Sequence, residues 1–361
     1  MSVSNEQIVA ALATVIDPYT HKKLDVSAEQ CSVQLQGNQV DVRLTLEYPL
    51  YDTDGVFKQR IQEALSSLSL QLNHLSTTAK VGTHAVQESL RPLDNVRNII
   101  AVASGKGGVG KSTTSVNLAL ALSQQGAKVG LLDADVYGPS APIMLGINER
   151  PVSVDGKLMK PVMAHGLQTN SLGFLMQEDA PAIWRGPMAT QALTQLINQT
   201  AWNDLDYLII DMPPGTGDIA LTMAQKIPLV GAVVVSTPQD MALADARKGL
   251  RMFQQVNVPV LGIVENMSMH ICTQCGHAEA IFGQHGGKTM AEQYNVPWLG
   301  ALPLAMAIRE QTDSGTPTVI ASPQSTEAGL YHQIATKVAA KVAGLPIDTS
   351  AQRPKVVPRP L

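Results

Sequence analysis

Residues Ser104 to Gly126 read SGKGGVGKSTTSVNLALALSQQG, and the rest of the chain can be read outward from them. Upstream, Asn98–Ser104 (NIIAVAS) is a short apolar run rich in β-branched residues, which predicts a buried strand. Gly105, Gly107, Gly108 and Gly110 let the backbone curl tightly enough to aim several N–H groups at one point. From Lys111 the pattern predicts a helix, with Val116, Leu118, Leu120 and Leu122 among alanines and Gly126 as its cap. Strand, glycine loop and helix N-terminus together make an anion site, and G-x-x-x-x-G-K-[ST] fits a nucleoside triphosphate. Gly105 through Thr113, Val109 included, are the expected phosphate cradle. Lys111 is expected to neutralise the β- and γ-phosphates, and the Ser112 hydroxyl to hold Mg²⁺. Such a loop needs one lysine, so Lys106, right after the first glycine, calls for a second explanation.

Beyond the loop, apolar strands are predicted at Ile99–Ala103, Val129–Leu132, Tyr207–Ile210, Gly231–Ser236 and Val260–Val264, mostly separated by helical segments. Continuous apolar strands of this kind mean a mostly parallel α/β sheet covered by helices on both faces, with ligands at the carboxyl ends of the strands. Two predicted strands end there in aspartates: Val129–Leu132 runs into Asp133 and Asp135, and Tyr207–Ile210 into Asp211. Asp211 is the expected holder of Mg²⁺ through its water shell. Asp133 or Asp135 is expected to orient an attacking water, and Asp135, further out of the strand, is the better placed. Strand Val260–Val264 ends in Glu265-Asn266-Met267, and the Asn266 amide offers the donor and acceptor that suit an adenine edge. A turn residue is the other reading of Asn266.

Residues 1–92 differ in pattern and predict a small α+β domain. Ser4-Asn-Glu-Gln7 reads as a capping box before a helix carrying Ile8, Val9, Leu12 and Val15. Val33 and Leu35, and then Val40, Val42, Leu44 and Leu46, alternate with polar residues as half-buried strands. A helix is expected over 54–66 and a further strand at Leu68, Leu70 and Leu72. Residues 93–97 read as a linker, 98–345 as the nucleotide-binding domain and 346–361 as a proline-rich loose tail.

Composition narrows the setting. With 361 residues the chain has room for two domains, and its net charge of −4 leaves no electrostatic footprint for nucleic acid. No apolar run reaches membrane-spanning length, and MSVSNEQIVAALATV lacks the basic start of a signal peptide, so no membrane partner and a cytoplasmic location are expected. Three cysteines do not make a disulfide framework. Cys31, alone before a strand, reads as structural.

A glycine–lysine start to the loop is the mark of the deviant Walker A ATPases, a class that includes nitrogenase iron protein, MinD, ParA and the ArsA-type ATPases. The resemblance implies a reason for Lys106: in that class the extra lysine reaches across a dimer interface to the partner's nucleotide. A second cation at the γ-phosphate would stabilise transition-state charge as an arginine finger does. Within the class, DADVYGPSAP (133–142), AIWRGPM (182–188), DMPPGTGD (211–218), VSTPQD (235–240) and ENMS (265–268) followed by C-x-x-C resemble the Mrp/ApbC family of ATP-dependent iron–sulfur carriers. The resemblance covers nearly all of Ile99–Ala343. It implies a homodimer that binds and hydrolyses ATP, as a slow and dimer-dependent hydrolase, and that passes a cluster from an assembly scaffold to apo iron–sulfur proteins. VIDPYTHKKL (Val15–Leu24) resembles a turn of the small iron–sulfur assembly domain fused to bacterial members, with Tyr19 in place of the usual Glu and EYPLYD where relatives carry a cysteine. A docking role is expected of that domain.

The segment His270-Ile-Cys272-Thr-Gln-Cys275-Gly-His277 leaves three ligand sets open on spacing alone. Cys272 and Cys275 of two chains can supply four thiolates to one [4Fe–4S] cluster, or the same four can hold zinc. One chain can instead hold zinc through both cysteines and the flanking histidines. The family resemblance implies the cluster. Two other functions share the loop: a MinD- or ParA-like spatial organiser, and a zinc-stapled ArsA-like targeting ATPase. A membrane organiser needs an amphipathic basic helix, which the prolines of QRPKVVPRPL prevent, and a nucleoid organiser needs basic patches. A targeting ATPase needs a long apolar insertion for its client, and none is evident.

Overall fold

The computed structural model describes residues 3–154, 156–175, 186–272 and 274–349. The N-terminal part begins with helix α1 (Asn5–Leu12), whose Ser4 and Gln7 form the expected capping box. Strands β1 (Cys31–Gln36) and β2 (Gln39–Leu46) make an antiparallel hairpin. Helix α2 (Val56–Ser66) then crosses over to β3 (Gln71–Ala79), which pairs parallel with β2. Val40, Val42, Leu44 and Leu46 all point into the core, as the alternation requires.

One strand lies later than expected. Leu68 and Leu70 are not in β3 but in the turn that ends α2. The N–H groups of Leu68 and Leu70 both donate to the Leu65 carbonyl, and Ser69 takes a left-handed φ of 59°. The apolar residues there cover the end of the helix, which in sequence looks the same as the start of a strand.

The larger sheet has eight strands: β4 (Val96–Ser104), β5 (Val129–Asp133), β6 (Val162–Ala164), β7 (Leu167–Ser171), β8 (Leu205–Asp211), β9 (Gly231–Ser236), β10 (Val260–Glu265) and, after a small hairpin of β11 (His270–Ile271) and β12 (Ala278–Glu279), β13 (Trp298–Ala301). Their spatial order is β13-β10-β9-β4-β8-β5-β7-β6. All pair in parallel except β6, which is antiparallel to β7 at the edge. The phosphate-loop strand β4 is therefore central, with β8 and β9 on either side. This is a P-loop NTPase sheet. Helices cover it: α3 (Lys111–Gln124), α4 (Ala141–Met144), α5 (Gly186–Gln199), α6 (Asp218–Lys226), α7 (Asp240–Gln255), α8 (Gly286–Gln293), α9 (Met306–Asp313), α10 (Thr318–Ala321) and α11 (Thr326–Ala343). Among the described residues no helix is long and apolar enough to cross a membrane.

The expected boundaries shift where backbone pairing intervenes. Val96 and Arg97 are no linker: both belong to β4, and Val96 pairs with Leu205. Residues 346–348 are likewise tied down, because Ala85 N–H donates to the Pro346 carbonyl and Asp348 N–H to that of Thr83. Residues 350–361 of the expected tail lie outside the described residues. The two parts of the chain also share packing: the Tyr51 ring stacks on His332 of α11 at 4.1 Å, and Tyr51 N–H donates to Thr336 Oγ1.

Candidate functional site

The glycine loop leaves the end of β4 and feeds α3, as the sequence predicts. Gly105 is packed so closely on α7 that a Cβ there would lie 2.1 Å from the Asp245 carbonyl carbon and 2.4 Å from Ala246 N. Gly110 takes a φ of 79°, a left-handed backbone that glycine tolerates best. The loop is held from the far side by Gly215 N–H, which donates to the Ser104 carbonyl and ties the DMPPGTGD segment to the end of β4.

Lys111 is 5% exposed and turned inward. Its Nζ lies 2.7 Å from Asp211 Oδ1, 3.2 Å from Ser112 Oγ and 3.7 Å from Asp135 Oδ2. Asp211 Oδ1 also accepts from Ser115 Oγ at 2.6 Å, while Asp211 Oδ2 is buried with no hydrogen-bond partner. The loop lysine, the loop serine and Asp135 thus line one pocket together with Lys106, Thr113 and Pro214, and Asp211 is buried behind Lys111. A buried carboxylate oxygen without a donor is unusual. An orphaned carboxylate oxygen, with the Ser112 hydroxyl on the same lysine, is the donor set a hydrated Mg²⁺ takes, so these residues fit the cation the sequence implies.

Asp133 and Asp135 have different surroundings. Asp133 is directly opposite Asp211 in the β5–β8 register. Its Oδ1 accepts from Asp135 N–H, and its Oδ2 from Ala141 N–H and Ser171 Oγ. Burial and the neighbouring Asp211 charge push its carboxyl above the usual range, against the pull of those N–H donors. Both oxygens are committed to holding the turn after β5. Asp135 spends one oxygen on Tyr137 N–H and leaves the other facing Lys111. Burial raises its carboxyl too, opposed by the Lys111 charge. Of the pair, Asp135 has an oxygen turned to Lys111 and the phosphate pocket rather than to the turn after β5.

Asn266 lies at the tip of β10, against the loop. Its Nδ2 donates to the Val109 carbonyl at 2.9 Å, and its Oδ1 accepts from Met267 N–H at 2.9 Å. Both ends of the amide are thus engaged within the protein. Lys106 is half-buried at the pocket's edge and has no ion pair among the described residues.

The C-x-x-C lies in the β11–β12 hairpin. Cys272 N–H donates to the His277 carbonyl and Gly276 N–H to that of Cys272, closing a tight turn with Cys275 exposed and Cys272 half-buried. N–H groups of Cys275 and Gln274, and the Cys275 thiol, pull the Cys272 thiol below its usual range. That favours the thiolate a metal requires. The His270 ring meets the Leu304 carbonyl through Nδ1 at 3.0 Å. Among the described residues no three His, Cys, Asp or Glu side chains gather as a metal site.

Several members of the site are not evident in the sequence. Ser115 is one turn beyond Lys111 on α3 and shares Asp211 with it; the i, i+4 spacing is its only signal. Glu265, read as the end of a strand, accepts from Gly287 N–H at the start of α8. In the N-terminal part, Asp17 and Tyr48 come from the two stretches VIDPYTHKKL and EYPLYD, and meet: Asp17 Oδ1 accepts from Tyr19 and Thr20 N–H, and Oδ2 from the Tyr48 hydroxyl at 2.7 Å. Burial of Cys31 in the core accords with a structural role. Most of AIWRGPM, residues 182–185, lies outside the described residues.

A model of the NUBPL iron-transfer P-loop NTPases, within the ParA group, matches residues 95–339. The chain belongs to this family. It is similar to the iron–sulfur cluster carrier protein of Escherichia coli K12, with 61% identity over 69% of this chain and 68% of that one. The iron–sulfur cluster carrier protein of Pseudomonas fragi is 57% identical over 76% of this chain and 94% of its own length. Among solved structures, a nucleotide-binding protein from Archaeoglobus fulgidus in complex with ADP superposes with a TM-score of 0.57 at 36% identity. That match covers 65% of this chain and 92% of the other.

Proposed function

We propose that two copies of this chain bind and hydrolyse ATP with Mg²⁺ and carry one [4Fe–4S] cluster between them, in the cytoplasm, from an assembly scaffold to apo iron–sulfur proteins. The observation that carries this reading is the position of the cysteine turn. Cys272 follows six residues after Asn266, whose amide is bonded to the phosphate loop, and presents only half of a four-thiolate set. A second chain completes it, and the iron–sulfur carrier relatives support iron over zinc.

The nucleotide chemistry follows from the pocket. When a triphosphate enters, Lys111 exchanges Asp211 for the β- and γ-phosphates; Ser112 and Asp211 would hold a Mg²⁺, which would supply charge screening there. Asp135, with one oxygen facing the pocket, orients the attacking water and takes up its proton. Asn266 keeps its loop bond and turns its remaining amide N–H toward an adenine edge. Lys106 crosses from one chain to the γ-phosphate of the other, so that hydrolysis waits for the dimer to close. Because the cluster lies on the same interface, closure and cluster retention are linked reciprocally. Residues 1–92 act as a docking domain for scaffold or recipient.

The Lys106 assignment is tested by mixing. Lys106→Ala and Asp135→Asn homodimers should each be inactive, with loss of the transition-state cation lowering the rate roughly 10³-fold or more. After verified subunit exchange, the mixed dimer sets an intact Lys106 opposite an intact Asp135 and should recover one working site. Failure to recover ATPase activity would argue against action across the interface.

A further inference from the structure

Nucleotide pocket and cysteine hairpin meet at two adjacent residues, Glu265 and Asn266, at the tip of β10. Asn266 reaches one way: its amide nitrogen holds the Val109 carbonyl of the phosphate loop, and its amide oxygen holds Met267 N–H. The amide is a rigid plane, so a shift of the loop carbonyl turns the acceptor on which Met267 depends. Met267 is sensitive to such a change, because it sits at a φ of 56°, a conformation side chains other than glycine and asparagine adopt at a cost. The fit is close on the loop side too: a Cβ on Gly110 would lie 2.1 Å from Asn266 Nδ2.

Glu265 reaches the other way. Its Oε2 accepts from Gly287 N–H at 2.6 Å, anchoring the start of α8 where the chain returns from the cysteine hairpin. Its carbonyl accepts from Leu302 N–H. The stem between tip and hairpin is not loose. Ser268 donates through both N–H and Oγ to the Leu302 carbonyl, Leu304 N–H donates to that of Met269, and the His270 ring meets that of Leu304. The exit from the cysteine hairpin is thus fastened to the Glu265 side chain, while the entry runs directly on from Asn266 and is held to Leu302 and Leu304, the first of which also bonds the Glu265 carbonyl.

We propose that Asn266 and Glu265 are positioning residues that transmit nucleotide occupancy from the phosphate loop to the Cys272–Cys275 hairpin within a single chain. The idea rests on the carrier reading above and deepens it. Closure of a dimer is then not the sole link between nucleotide and cluster: phosphate binding shifts the Val109 carbonyl, Asn266 turns, and the stem to Cys272 follows. Glu265 keeps the far end of the hairpin fixed, so that the motion changes the cysteine turn rather than dissipating in the loop before α8.

Hydrogen exchange on the cluster-free chain tests this without requiring bound iron, so a failed iron assignment and a failed coupling give separate results. Peptides spanning 268–280 are compared with and without Mg²⁺ and a non-hydrolysable ATP analogue, at concentrations that saturate each variant. In the wild-type chain nucleotide should change their exchange about fivefold or more. Asn266→Ala should bring that ratio close to one. Asn266→Asp should do the same, since it keeps an acceptor for Met267 N–H and loses the donor to Val109. Glu265→Ala should also lose the response, while Glu265→Gln, which still accepts from Gly287, should retain it. A merely structural role would speed exchange equally with and without nucleotide and leave the ratio unchanged. A wild-type ratio of one, or a wild-type ratio surviving in both Asn266 variants, would overturn the proposal.

Discussion

Replacing Lys111 by methionine should destabilise the chain even when no nucleotide is present. A phosphate-binding lysine would ordinarily be expected to matter only to its ligand. Here its Nζ is 2.7 Å from Asp211 Oδ1, with the two side chains 5% and 1% exposed. Without it Asp211 keeps one donor, Ser115 Oγ, and faces Asp133 across the β5–β8 register with its second oxygen already unpartnered. Removing one member of a buried ion pair costs about 3–5 kcal/mol, because the other is left as an uncompensated charge. For a domain of this size, that corresponds to a melting temperature lower by about 6–20 °C. Replacing both charges together should be far milder, since a buried pair and neutral groups of similar shape are often nearly equal in stability. The assay is a double-mutant cycle on nucleotide-free protein: wild type, Lys111→Met, Asp211→Asn and the double variant, each followed by thermal unfolding. The double variant should recover much of what Lys111→Met loses. If Lys111→Met melts within about 2 °C of wild type, a loss below about 1 kcal/mol, or if the two substitutions add without recovery, the buried pair is not what holds this pocket.

Two further outcomes follow from the same geometry. Asp135→Asn should still bind ATP yet hydrolyse it much more slowly; normal turnover, measured as phosphate release, would remove Asp135 from the water-orienting role. Gly105→Ala should lower stability by about 1–3 kcal/mol or more, because its Cβ would overlap the α7 backbone at Asp245 and Ala246, which cannot move aside as a side chain end can. An unfolding midpoint unchanged from wild type would show that the close approach of loop and helix is not maintained.

Where one local rule acts alone, sequence and structure agree. The run from Asn98 to Gly126 carries its own strand, turn and helix signals, and the β2 alternation of Val40 to Leu46 leaves one choice of face. The aspartates at 133, 135 and 211 are legible as strand ends, and Asp135, further out of its strand, as the better placed of the first two. What the sequence does not carry is how the oxygens of Asp133 are occupied, by Asp135 N–H on one and by Ala141 N–H and the distant Ser171 on the other. Strand β3 lies later than the alternation predicts because a helix-ending turn buries Leu70 as a strand would. The start of the tail looked loose because proline content says nothing of Thr83 and Ala85, whose backbones pair with it. Ser115 and Glu265 carry little local signal for a related reason: each bonds a partner distant in sequence, Asp211 and Gly287.

The central claim is that two chains share one cluster through Cys272 and Cys275. Anaerobic purification followed by iron, sulfide and zinc analysis, with the oligomeric state determined on the same sample, tests it most directly. The account predicts a dimer with about two iron and two sulfide per chain, as one [4Fe–4S] cluster on four thiolates requires. Cys272→Ala and Cys275→Ala should each reduce both to near zero while ATP binding persists. One zinc per chain with little iron, or either cysteine variant retaining its full iron and sulfide, would contradict it.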